Sequence, residues 1–128
     1  MAKTMIDFDV VREIALGLPG VEESTIHGAP SIKLRGKLLT CPALHSSAES
    51  NSLMVRIDFD RCAELMKVEP DVYYVTNHYA NHPSVLVRLS RIDRTALKDL
   101  LDYAWRFVSS RTKASKRRVR GGRRATQG

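Results

Sequence analysis

Val72-Tyr-Tyr-Val-Thr-Asn-His-Tyr-Ala-Asn-His-Pro-Ser-Val-Leu-Val-Arg-Leu89 decides how this chain folds. Val72 to Thr76 is β-branched and aromatic, which suits a pleated, half-buried surface. Val85, Leu86, Val87 and Leu89 form a second apolar run with Arg88 as its polar interruption. The stretch therefore reads as two strands joined by the polar loop Asn77 to Ser84. That loop is rich in rings and hydrogen-bonding groups, and Pro83 sets the entry to the second strand. It is the first place to look for a site.

Beyond it lies the clearest helix in the chain. Ala96, Leu97, Leu100, Leu101, Ala104, Trp105 and Val108 form one apolar stripe, with Ser90 or Asp93 as the cap. The stripe is expected to lie across a sheet, with Trp105 as its largest plug. On the N-terminal side, Phe8 to Leu18 reads as a helix capped by Asp7 or Asp9 and ended by Pro19-Gly20. A strand is expected over Val21 to Ile26. Ser31 to Arg35 and Leu38 to Cys41 read as a hairpin with one basic face. Pro42 to Ser52 reads as a mobile polar loop and Leu53 to Phe59 as an alternating strand. A short helix follows over Arg61 to Lys67, capped by Asp60. Short links between strands favour antiparallel pairing. The expected fold class is α+β: an antiparallel sheet with about three helices (N-terminal, middle and C-terminal), one sheet face largely wet, and a disordered basic tail.

The 128 residues allow a single domain, expected over residues 1–108, with the tail over 109–128. No apolar run approaches the ~20 residues of a membrane helix, so no membrane partner is expected. The N-terminus carries acids where a signal peptide has its apolar core, which predicts a cytoplasmic protein. Cys41 and Cys62 have no metal-ligand spacing and read as buried, reduced thiols. The net charge of +7 is unevenly placed. Eight of the 21 Lys and Arg fall from Arg111 onward with no acid among them, leaving 13 against 14 Asp and Glu over residues 1–108.

Several segments in order carry a resemblance. They are Leu18-Pro-Gly-Val-Glu-Glu23, His27-Gly-Ala-Pro30 with Ile32-Lys-Leu-Arg-Gly-Lys37, Val72-Tyr-Tyr74, His78-Tyr79, Val85-Leu-Val-Arg-Leu89 and Leu101-Asp-Tyr-Ala-Trp-Arg106. Together they resemble the MmcQ/YjbR family of small bacterial proteins, from about Phe8 to Val108. The resemblance implies an α+β domain similar to secretion-chaperone-like folds. It also implies a link to DNA, since such proteins are commonly described as DNA-binding with a double-wing arrangement. It brings no catalytic residues with it.

Three groups of residues are candidates for function. Arg117, Arg118, Arg120, Arg123 and Arg124 can neutralise phosphates without base specificity, and Gly121-Gly122 gives that segment flexibility; a solubilising tail has the same composition. Lys33, Arg35 and Lys37 on one hairpin can follow a phosphate backbone as a wing, although alternating charge is ordinary on a wet strand. His78 and Tyr79, with Asn77 and His82, can stack on and hydrogen-bond an unpaired base, line a small-molecule pocket, or simply hold the loop together. No nucleophile elbow, phosphate loop or paired-carboxylate motif occurs, so neither an enzyme nor a cofactor is expected. The expected partner is nucleic acid, DNA before RNA. The alternatives are a protein-interaction module or homodimer working through the open sheet face, and a small-molecule binder around His78 and Tyr79. In the last case the rings must open into a concave pocket with Lys33 or Arg35 nearby.

Overall fold

The computed structural model describes residues 6–26 and 28–121, with residues 111–121 as backbone. The elements in order are α1 (Phe8–Ala15), β1 (Val21–Ile26), β2 (Ala29–Leu34), β3 (Lys37–Pro42), β4 (Ser52–Arg56), α2 (Phe59–Val68), β5 (Tyr73–Tyr74), β6 (Ser84–Arg88) and α3 (Arg94–Gly121). The strands form one sheet in the order β1-β2-β3-β4-β6-β5, and each neighbouring pair is antiparallel. The α+β expectation holds.

Each helix starts on an aspartate that accepts from an otherwise orphaned backbone amide. Asp7 takes the amide of Val10 at 3.2 Å, Asp58 that of Arg61 at 3.1 Å and Asp93 that of Ala96 at 2.8 Å. The cap of α2 is thus Asp58 rather than Asp60, because the helix begins two residues earlier than its apolar periodicity announces. At the other end of the chain α3 continues to Gly121, over residues where the sequence reading placed a disordered tail from Ser109. Lys, Arg and Ala are good helix formers, and no proline interrupts them before Gly121-Gly122. Trp105, expected as the largest plug of the stripe, packs against the core only in part. It is half-buried at the rim, and its indole N–H donates to the Pro19 carbonyl at 2.8 Å, tying α3 to the turn after α1.

The core lies between the helices and one sheet face. Ile32, Leu34, Leu39, Leu53, Val55, Val85 and Val87 from the strands meet Val11, Leu97, Leu101 and Ala104 from the helices. Cross-strand neighbours project to the same face, and a bulge decides what the other face receives. The β2–β3 register passes from Ile32↔Thr40 to Lys33↔Leu38, so β3 spends one extra residue, Leu39. Leu39 and Thr40 are both buried on the helix side as a result, while Leu38 and Cys41, three residues apart, both face away from it. Thr40 satisfies its hydroxyl by donating to the Met54 carbonyl at 2.7 Å.

That outer face differs from expectation. Its centre is not wet: Cys41, Ala43, Met54 and Leu86 are buried in a second apolar cluster beneath the loops.

Candidate functional site

Alternation along the strands places Ile26, Ala29, Leu38, Cys41, Met54, Arg56, Ser84 and Leu86 on the outer face. Two loops rise over it, one between β3 and β4 and one between β5 and β6. The first was expected to be mobile, but it is pinned to the second. Tyr74 Oη accepts from the Glu49 amide at 2.8 Å and lies 2.6 Å from Ser52 Oγ. Ser47 Oγ and Thr76 Oγ1 are 2.8 Å apart, and Tyr79 Oη accepts from the His45 amide at 3.3 Å. Arg88 closes the arrangement. Its Nε and Nη2 donate to the two oxygens of Glu49 at 2.9 and 2.7 Å, and Nη1 donates to the carbonyls of Pro70 and Asp71. Its guanidinium lies 4.3 Å from the Tyr74 ring centroid. The hydrogen bond from Arg88 holds the Glu49 carboxyl below its ordinary value.

Between the loops and the sheet is a cavity of about 570 Å³, within the ~300–1,000 Å³ typical of small-molecule sites. Its floor is Ile26, Ala29, Leu38, Cys41 and Met54, and its rim carries His45, His78, Tyr79, His82 and Arg56, with the exposed Leu44 at the edge. The His45 and His78 rings are stacked, centroids 3.5 Å apart and 8° from parallel. Tyr79 stands edge-on to His78 at 4.9 Å. The Ser47 amide donates to Nδ1 of His45 at 3.0 Å, which puts the proton of the neutral ring on Nε2. Burial pushes the Cys41 thiol up to about 11, so it packs as a small apolar group rather than reacting as a thiolate at neutral pH. Among the described residues no group of three or more His, Cys, Asp and Glu converges to hold a metal. A smaller cleft of about 290 Å³ lies between α2 and α3, where Arg61 sits 4.3 Å from the Tyr103 ring centroid.

The sequence-predicted candidates separate. His78 and Tyr79 both line the pocket, and His82 joins them. The three hairpin cations do not share a face. Lys33 is opposite Leu38 on the outer side, with Glu22 as its other cross-strand neighbour. Lys37 is opposite the core residue Leu34, and Arg35 occupies the two-residue turn with Gly36. Positive φ values of 51° and 83° at Arg35 and Gly36 give that turn the primed geometry that matches strand twist. Arg117, Arg118 and Arg120 lie on the backbone of α3, with their side chains outside the description; Arg123, Arg124 and His27 lie outside the described residues. Sequence reasoning missed His45, Cys41 and Met54 as pocket residues. The signal was present in Leu53-Met-Val55 and Val85-Leu-Val87, unbroken apolar runs that mark strands buried on both faces.

Comparison with known proteins agrees with this architecture. A family model described as YjbR matches residues 16–107. The chain belongs to the YjbR family. The crystal structure of Deinococcus radiodurans protein DR2400, carrying the domain DUF419, superposes on this YjbR-family chain with a TM-score of 0.67 at 18% identity, over 85% of this chain and 83% of that one. That likeness is one of fold. Uncharacterised proteins of Mycobacterium bovis (Mb2600) and Mycobacterium tuberculosis (Rv2570) are 44% identical over 41 residues. The match spans 32% of this chain and 32% of each relative. Among the described residues no helix is long and apolar enough to cross a membrane.

Proposed function

We propose that this YjbR-family protein binds a small, largely apolar molecule in the outer-face pocket. The observation that carries the reading is the second apolar cluster: a sheet face that could have faced water instead forms an apolar floor under two pinned loops, with rings and one arginine on the rim. Fixed polar groups around an apolar floor are the usual composition of a ligand site. The reading is one of binding rather than turnover. A screen of small aromatic compounds by amide-shift NMR tests it. Shifts are expected to cluster at His45, Met54, His78 and Tyr79, and to vanish in Ala29→Phe, whose ring would project from β2 into the cavity. Shifts scattered over the surface, or none, would refute it.

A second reading, DNA binding, is supported by the Arg and Lys residues from Arg111 onward, several of them on one continuous helical backbone. The β2–β3 hairpin adds less than the wing expectation assumed, since its cations diverge and Glu22 faces Lys33. The test is fluorescence anisotropy with a short duplex across a salt series, comparing the full chain with a variant in which Arg117, Arg118, Arg120, Arg123 and Arg124 become Gln. Binding is expected to weaken with a slope of ~0.9 in log K per phosphate contact, to fall sharply in the variant and to survive Ala29→Phe. Absence of binding at low salt would end this reading and leave the pocket untouched.

A further inference from the structure

Resting on the pocket as the ligand site, we infer that its ligand is an aromatic carboxylate. The lining contains one Arg and three His and no Asp or Glu. Of the acids on this face, Glu49 is engaged by Arg88 at 2.7 Å, and Glu22 stands on β1 opposite Lys33, outside the lining. Lys33, beside Leu38 on the same sheet face, is offset by Glu22 across the strand, so the charge at the site comes from Arg56. A polar head entering this space therefore meets donors and positive charge. Arg56 follows Met54 by two residues on β4, so it shares the outer face with the apolar floor and lines the cavity. A planar guanidinium pairs with a carboxylate through parallel hydrogen bonds, and such a pair strengthens as water is excluded. His45, with Nδ1 already accepting from Ser47, offers Nε2–H as a second donor.

The rest of the lining favours a flat body. The floor is a sheet surface, the parallel His45 and His78 rings and the edge of Tyr79 make planar walls, and the Met54 thioether is a good neighbour for an aromatic ring. A bicyclic ring system fits within about 570 Å³.

The test is isothermal titration of the full chain with 2-naphthoate and with the neutral, similarly shaped 2-naphthamide. 2-Naphthoate is expected to bind at least about tenfold more tightly, the difference a charge-assisted pair makes over a neutral one. That preference is expected to collapse in Arg56→Gln, with naphthamide binding retained, and to return in part in Arg56→Lys. Retained naphthamide binding also shows that the Arg56 variants keep their fold. Equal affinity for the two compounds in the unmodified protein would overturn the anion assignment while leaving a neutral-ligand pocket standing. Binding of neither compound, or naphthoate binding unchanged by Ala29→Phe, would overturn both this inference and the pocket reading beneath it.

Discussion

Leu101→Ala is expected to destabilise the protein by about 3–4 kcal/mol, the middle of the usual range for a leucine removed from a closed core. Leu101 is fully buried at the middle of the α3 stripe, with Leu97, Ala104 and Val108 on the same helical face. Helix α3 packs against α1 and across β2, β3 and β4. It is the element that joins the strands and the N-terminal helix into one core. A cavity there has rigid strands on one side and a helix held by Trp105 and the Asp93 cap on the other, so collapse is limited. In a domain of this size the loss corresponds to a fall in Tm of roughly 12–25 °C. Urea or thermal denaturation measures it. Lys98→Ala, on the exposed side of the same helix, should change stability by no more than about 0.5 kcal/mol. Similar small effects from both substitutions would mean that α3 does not close the core.

Much of this core was legible in the sequence because periodicity and burial agreed. The α3 stripe and the alternating Leu53 and Val55 of β4, with Ile57 just beyond it, point to the same interior. The boundaries were less legible. Helices begin where a cap satisfies the first amides, and Asp58 and Asp60 are equally good chemistry read one at a time; only the geometry separates them. The long reach of β5 was misleading in the other direction. Val72 to Thr76 has the residue types of a full strand, yet only Tyr73 and Tyr74 pair, because Asn77 onward turns away over the outer face.

Half of the candidate site was legible. His78 and Tyr79 stood out because rings and amides are concentrated in one short loop. His45 did not, because its partners lie 33 and 34 residues away, and loop-to-loop stacking leaves no periodic trace in a sequence. The floor was hidden for a different reason. One extra residue at the β2–β3 bulge reverses which side chains of β3 face outward from Thr40 onward, and a bulge has no residue signature as strong as a turn's. The hairpin cations divide for another reason: a two-residue turn at Arg35-Gly36 sets Lys37 opposite the core residue Leu34 and leaves Arg35 in the turn itself.

Cys41 gives the second large effect, and it reports directly on whether that floor is dry. Its thiol is pushed up to about 11 from an ordinary 9.0 by burial alone. The folded protein therefore keeps this proton at pH values where the unfolded chain has released it. The stabilisation is complete below about pH 9 and is lost as pH rises from 9 towards 11, because ionisation there favours the unfolded state. Two units correspond to roughly 2–3 kcal/mol. Cys62 and Tyr73 are also raised, mainly by burial, and add to the alkaline loss in every variant alike. The comparison is consequently between the unmodified protein and Cys41→Ala, each unfolded in urea at pH 8 and at pH 11. Cys41→Ala is expected to be the less stable at pH 8, where it lacks only the packing of the sulfur. Most of that deficit should disappear or reverse at pH 11, where only the unmodified protein has a buried thiol resisting ionisation. Curves that stay parallel across this range would mean that water reaches Cys41 freely. A wet Cys41 would leave Met54 and Leu38 beside it without the dry surface that a ring-bearing ligand requires, so this titration tests the fold and the proposed site together.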